Sequence, residues 1–318
     1  MPSLNIIVTG CSTGIGYSIA VHLASLGHTV FATMRRADTR KEGRTLRQIA
    51  NDRNFNLYTI SHDVDSEQST SNCLGQCLHL SKNGQIDVLI NNAGVGGKVA
   101  PVEESEYNDF ERIMKTNYLS PVRMIKMLLP HFRENHRGCI INVTSIAAQY
   151  WTANQASYCA SKAALEAFST SLSQEVRRFG IQVSTLQPGV VVTPILLKEQ
   201  VKGVKGSPYS RHVRLSKKFY TAMMSTMRTR PIVVSKVVEQ ILHDFLEEKQ
   251  RMHYVAGPDA IQLDKTLREK GMEWLAHDGG RPYVNNDQAH VDWFYKHFHL
   301  DVSASFKLKG PTNMISKM

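Results

Sequence analysis

The chain has 318 residues, 42% of them hydrophobic, enough to bury one large core or two modest ones. No apolar run approaches the ~18 residues of a membrane span, and Met1-Pro2-Ser3-Leu4 leads straight into a strand-like stretch without a signal peptide's basic flank, so a cytoplasmic location is expected. Nine Lys or Arg against the single acid Glu199 between Leu196 and Pro231 supply +8 of the net +10, which argues against a general nucleic-acid surface and for one local basic patch.

Leu4 to Thr9 is the first apolar run, and it ends at Thr9-Gly10-Cys11-Ser12-Thr13-Gly14-Ile15-Gly16 before a helical pattern over Thr13 to Leu26. Glycines at such a turn let backbone approach a pyrophosphate, and the helix start offers free N–H groups, so Gly10, Ser12, Thr13, Gly14, Ile15 and Gly16 are candidate cofactor contacts. The spacing Gly-x-x-x-Gly-x-Gly differs from the commonest dinucleotide fingerprint, and a plain tight turn is the competing reading.

The second strand, His28 to Met34, runs into Arg35 and Arg36 with no carboxylate before Asp38. A carboxylate there would hold ribose hydroxyls, whereas guanidinium groups match a phosphate, so NADP(H) is expected over NAD(H). The alternative is that both arginines are solvated loop charges. After a third strand, Phe55 to Ser61, Asp63 and Val64 are placed to meet an adenine amino group, with a helix N-cap role for Asp63 or Asp65 equally open. A fourth strand, Val88 to Ile90, leads into Asn91-Asn92-Ala93-Gly94, where Asn91, Ala93 and Gly94 can line a cofactor and tie adjacent strands.

Cys139 to Thr144 reads as the fifth strand and Ile181 to Leu186 as the sixth, which ends in Pro188-Gly189-Val190-Val191-Val192-Thr193. Between them Asn154 to Phe179 reads as a long amphipathic helix carrying Tyr158 and Lys162, four residues apart and so on one face. An ammonium so placed favours the phenolate and readies the phenol for proton exchange with an alcohol oxygen. Alone the pair is also what a solvated helix face shows by chance. His253 to Ala256 is a candidate edge strand. Alternating strands and helices imply an α/β doubly wound parallel sheet covered on both faces, with ligands beyond the carboxyl ends of the strands.

Two stretches interrupt this repeat. Residues 194–231 hold the basic cluster and read as a substrate lid within a catalytic unit of residues 1–257. Residues 258–318 form an extension expected to pack on the body through its aromatic residues, with disorder expected over Lys307 to Met318. The five cysteines Cys11, Cys73, Cys77, Cys139 and Cys159 show no Cys-x-x-Cys and read as small buried hydrophobes in a reducing compartment. The histidines lack metal-ligand spacing, so no metal is expected.

In order and spacing, Thr9–Gly16, Asn91–Gly94, Asn117, Ser145, Tyr158/Lys162 and Pro188/Gly189/Thr193 together resemble the short-chain dehydrogenase/reductase family over residues 4–257. Gly-Cys-Ser-Thr-Gly-Ile-Gly, Phe-Ala-Thr-Met-Arg and the long C-terminal segment are similar to its 17β-hydroxysteroid and retinol dehydrogenase branch. The resemblance implies a Rossmann-type single domain in which Tyr158 is general acid and base. Lys162 would lower its pKa and hold the nicotinamide ribose, Ser145 would hydrogen-bond the substrate oxygen, and Asn117 would hold a water linking Lys162 to solvent. Pro188, Gly189, Val191 and Thr193 would meet the nicotinamide end, and a homodimer is implied through helices near Asn117 and Tyr158.

Val190 to Val192, Ile195, Leu196, Leu197, Met223, Met224 and Met227 suggest a pocket for a steroid-, retinoid- or other lipid-like alcohol or ketone, core contacts of the lid helices being the alternative. Gln149, Tyr150 and Trp151 either line the substrate side or pack as aromatics do. The basic cluster suits an anionic carrier group, a peripheral contact with an acidic membrane surface, or mere solvation. An oxidoreductase for lipophilic alcohols leads; a reductase of acidic or carrier-bound 3-oxoacyl substrates and a non-catalytic dinucleotide sensor follow. The full set of Asn117, Ser145, Tyr158 and Lys162 argues against the sensor.

Overall fold

Strands buried on both faces carry mainly apolar runs instead of alternation, and the central strands of this protein, such as NIIVT, VLIN and GCIINV, show that pattern. The computed structural model describes residues 2–194, 206–218 and 229–278, apart from positions 82, 212 and 250, together with positions 288, 291, 292 and 295. Seven strands, β1 (Asn5–Thr9), β2 (Thr29–Met34), β3 (Leu57–Ser61), β4 (Val88–Asn91), β5 (Gly138–Val143), β6 (Ile181–Pro188) and β7 (His253–Ala256), lie in the order β3-β2-β1-β4-β5-β6-β7. Every pairing is parallel. The doubly wound α/β fold expected from the alternation is the fold observed.

Register assigns each side chain to a face. Ile6, Val8, Val30, Ala32, Ile90 and Ile141 point to one layer and pack under α1 (Gly14–Ser25), α2 (Lys41–Arg53) and α7 (Pro231–Leu246). Ile7, Phe31, Leu89, Ile140 and Val183 point to the other, against α3 (Glu67–Leu80), α5 (Ser120–Glu134) and α6 (Ala156–Val176). The even-odd split follows from the two-residue period of a strand. A shorter helix, α4 (Tyr107–Met114), joins α5 through a π-helical turn at Lys115–Leu119. All five cysteines are free and buried in this fold.

The order in which strands are added reverses between β1 and β4, since the chain moves outward to β2 and β3 on one side and to β5, β6 and β7 on the other. That switch point opens a crevice beyond the strand ends, where the site lies. Several boundaries differ from the sequence reading, and two of the differences have a clear local cause. Strand β6 runs on to Pro188 because Gln187 and Pro188 pair with Val255 and Ala256 of β7. Helix α6 starts at Ala156 because Asn154 has φ 68 and Gln155 is also non-helical, and it gives way to a 3₁₀ turn over Arg177–Phe179.

After β7, α8 (Pro258–Asp278) lays Ala260, Leu263 and Leu267 into the body and is kinked at Gly271, φ 75 and ψ 172. Of the segment read as a lid, Leu215 is buried, Ser216 accepts from Asn154 Nδ2 at 2.6 Å, and Tyr209 donates to Glu103 at 2.6 Å. Its return is marked by a bridge between Val191 and Thr229. Ile195, Leu196, Leu197, Met223, Met224, Met227 and four of the basic residues (Lys198, Lys202, Lys205, Arg228) lie outside the described residues, as do Lys307 to Met318. Among the described residues no helix is long and apolar enough to cross a membrane.

Candidate active site

A cavity of about 720 Å³ opens at the carboxyl ends of the strands. Its floor is the β1–α1 turn, where Gly10, Ser12, Thr13, Gly14, Ile15 and Gly16 all face the space. Gly10 has φ +75, and a Cβ there would stand 2.7 Å from Ala93 Cα, so only glycine lets this turn close on the β4 loop. The two loops are then locked together: Thr9 Oγ1 accepts from the backbone N–H of Asn92 and of Ala93, each at 3.0 Å, and Asn92 Nδ2 donates to Thr9 O at 2.8 Å. Helix α1 has no side-chain cap and no acid in its first turn. Its first N–H groups and their positive potential are left for an anion, which fits a dinucleotide pyrophosphate.

At the end of β2, Arg35 lines the cavity and Arg36 does not. Arg36 takes φ 55, is exposed, and uses its carbonyl to accept from the N–H of Thr39 and of Arg40. That turn returns the chain so that Arg40 lines the cavity in its place. Asp38, the nearest carboxylate, accepts from Ser61 Oγ at 3.0 Å. Asp63 and Val64 also line the cavity, and Asp63 Oδ1 accepts from Asp65 N at 3.2 Å. The N-cap of α3 is Ser66, not either aspartate; Asp65 instead accepts from Thr116 Oγ1 at 2.9 Å and Ser120 Oγ at 2.8 Å.

Ala93 and Gly94 face the cavity, whereas Asn91 is buried between strands. It donates to Asn142 Oδ1 at 2.9 Å, and Asn142 donates to Ser169 Oγ at 2.8 Å, so Asn91 ties β4 to β5 and α6 and is not a lining residue. Asn117 is likewise buried behind the wall, in the π turn. Its amide donates to Val95 O and Ser161 Oγ and accepts from Val95 N, which fastens the β4 loop to α6. A π turn takes backbone carbonyls out of the helical ladder, a device common at functional sites.

Tyr158, Lys162 and Ser145 meet at the cavity. Lys162 is buried, donates to Val143 O at 2.9 Å, and its Nζ stands 5.9 Å from the Tyr158 ring centroid. Burial draws the Lys162 ammonium down to about 8, opposed by the charge of Glu166. Ser145 caps the 3₁₀ turn Ile146–Ala148 by accepting from Ala147 N at 3.1 Å, which leaves its hydroxyl proton available to donate. Tyr150 lines the cavity and is buried, while Trp151 is 54% exposed and donates to Ala148 O.

Pro188, Gly189, Val191 and Thr193 form the remaining wall with Val190. Asp259, at the start of α8, accepts from Val190 N at 2.7 Å, and its carboxylate lies where a Cβ on Gly189 would have to be. Burial pushes the Asp259 carboxyl up. Arg40 and Asp259 are cavity residues that sequence reasoning passed over; the first is hidden by the turn at Arg36, the second by a separation of seventy residues from the loop it holds. Among the described residues no group of three or more His, Cys, Asp or Glu is placed to hold a metal ion.

Residues 4–202 match the family model of short chain dehydrogenases. Retinol dehydrogenase 8 of Bos taurus is 36% identical over 192 residues, 59% of this chain and 59% of that protein. Retinol dehydrogenase 5 of Homo sapiens is 34% identical over 271 residues, 84% of this chain and 77% of that protein. The crystal structure of a short-chain dehydrogenase from Streptomyces avermitilis superposes with a TM-score of 0.70 at 27% identity, covering 88% of this chain and 98% of that one. A dinucleotide cradle at the switch point and a match across most of the sheet lead to one conclusion: the chain belongs to the short chain dehydrogenase family, oxidoreductases that use a nicotinamide dinucleotide, and within it resembles the retinol dehydrogenases.

Proposed function

We propose that this protein interconverts a lipophilic primary or secondary alcohol with its aldehyde or ketone, using NADP(H), with Tyr158 as general acid and base. The observation that carries the reading is the buried Lys162 ammonium 5.9 Å from the Tyr158 ring, beside Ser145 in the cavity wall. The expensive burial of a cation is sustained where the charge is used.

On this reading Gly10 to Gly16 hold the pyrophosphate, Arg35 and Arg40 the 2′-phosphate, and Asp63 with Val64 the adenine. Ala93 and Gly94 flank the ribose that Lys162 holds, and the Val191 backbone and Thr193 meet the carboxamide. A nicotinamide held there would supply or take up the hydride at the substrate carbon. Ser145 Oγ donates a hydrogen bond to the substrate oxygen, steadying the charge that develops there. In reduction the Tyr158 hydroxyl hands its proton to that oxygen, and the Lys162 ammonium stabilises the phenolate left behind; in oxidation the phenolate takes the proton back. The retinol dehydrogenases among the relatives support a hydrophobic alcohol as substrate. Turnover of retinol, long-chain alcohols and steroids with each cofactor tests the reading; a Tyr158→Phe protein that binds NADPH yet turns over at the wild-type rate would sink it.

A further inference from the structure

Glu166 stands one helical turn beyond Lys162, so Tyr158, Lys162 and Glu166 occupy successive i, i+4 positions of α6. One face of the helix thus carries a phenol, an ammonium and a carboxylate in a column. Glu166 is buried and lies outside the cavity wall. Its Oε1 accepts from Thr185 Oγ1 of β6 at 2.5 Å and from His253 Nδ1 of β7 at 2.7 Å. Thr144, beyond β5, and Gln187 of β6 face the same carboxylate. Burial pushes this carboxyl up, but hydrogen bonding from His253, Thr185, Thr144 and Gln187 together outweighs it and holds the group below the usual carboxylate range.

A buried, ionised carboxylate that touches neither substrate nor cofactor is costly to keep unless it answers another charge. We propose that Glu166, held in place by His253 and Thr185, is a positioning residue that anchors the cation at Lys162. The inference deepens the reading of Tyr158 and Lys162 given above and rests on it for its consequence in turnover. Among the described residues His253 of β7 stands 2.7 Å from the carboxylate, and Lys162 lies one turn away on the same helix, its ammonium favoured by the Glu166 charge, while Thr144, Thr185 and Gln187 are uncharged. Protonated His253 cancels the charge of Glu166; neutral His253 leaves it whole for Lys162.

The test is an NMR titration of full-length protein labelled with [13Cε]lysine, the Lys162 signal being assigned by its loss in Lys162→Met. Glu166→Gln is expected to lower the Lys162 midpoint by on the order of one pH unit, and Glu166→Asp, which keeps the charge, to leave it near wild type. An unmoved midpoint in a folded Glu166→Gln protein overturns the proposal, as does an equal displacement in both variants, which would assign the effect to packing. His253→Gln keeps an N–H donor toward Glu166 and removes the imidazole that cancels its charge when protonated. Its midpoint is expected to stay or rise, and a fall overturns the proposal even where Glu166→Gln does not fold. The readout needs no substrate, so it separates this role from the oxidoreductase reading, which fails on its own if Tyr158→Phe leaves retinol oxidation at the wild-type rate. Where wild-type protein oxidises retinol with NADP+, the alkaline limb of kcat is expected to follow the same shifts.

Discussion

The two ends of the cavity are built by different means. The end proposed for the pyrophosphate is made of backbone: a glycine turn, an uncapped helix start and Thr9 hydrogen bonds that reach across two neighbouring strands. The end proposed for catalysis is made of side chains drawn from distant parts of the chain. Lys162 on α6 donates to β5, Asn117 clamps the β4 loop, and Asp259 of α8 holds the loop after β6. Backbone cradles tolerate side-chain change and fail when a Cβ intrudes; side-chain constellations fail one partner at a time.

The largest expected effect falls at the catalytic end. Tyr158→Phe should lower kcat by roughly 10²–10⁴-fold while NADPH affinity, measured by fluorescence titration, stays within about twofold. Next comes Lys162. Its proton-binding affinity in the folded protein, about 8, lies below its unfolded value of 10.5. The native state therefore holds its proton less tightly, so this group destabilises fully below about pH 8, and the cost is relieved as pH rises from 8 toward 10.5. The difference in unfolding free energy between wild type and Lys162→Met should thus shift in favour of wild type over that interval, by on the order of 3 kcal/mol, in urea titrations at stepped pH.

At the cofactor end, Arg35→Ala and Arg40→Ala should each raise KM for NADPH roughly 10–100-fold and leave KM for NADH unchanged, as expected for charge-assisted hydrogen bonds to a phosphate. Arg36→Ala should alter neither; a larger effect at Arg36 than at Arg40 would reverse the placement seen here. Gly10→Ala should cost about 1–3 kcal/mol of stability by denaturant titration, because the new methyl meets Ala93 in a left-handed turn.

This contrast also explains what could be read from sequence. Tyr158 and Lys162 share a face because helical geometry fixes neighbours four apart, and the strand runs announce themselves through unbroken apolar character. Gly10 to Gly16 were legible because strand, turn and helix follow one another without a gap. Arg36 was expected at the cavity and is not there, since the local turn in which it adopts φ 55 brings Arg40 back instead. Asn91 was read as able both to line the cofactor and to tie adjacent strands; the β4–β5 register sets it opposite Asn142, to which it donates, so it ties the strands and does not line the cavity. Asp259 and Glu166 left no mark in the sequence, because each depends on a partner that only the closed sheet brings near: Val190, sixty-nine positions from Asp259, and His253, eighty-seven positions from Glu166.

The carboxylate of Asp259 seated against Gly189 has a practical corollary for anyone trimming the gene. A shortened product ending just after the seventh strand would retain the entire sheet, the glycine turn and the Tyr158–Lys162 pair, and an inventory of motifs would score it whole. It would nonetheless lose the acceptor that grips Val190. The wall beside the glycine turn would keep its backbone bonds to Ala256 and Thr229 but lose the side chain that fixes Val190, so what looks like a dispensable tail pins one point of the pocket.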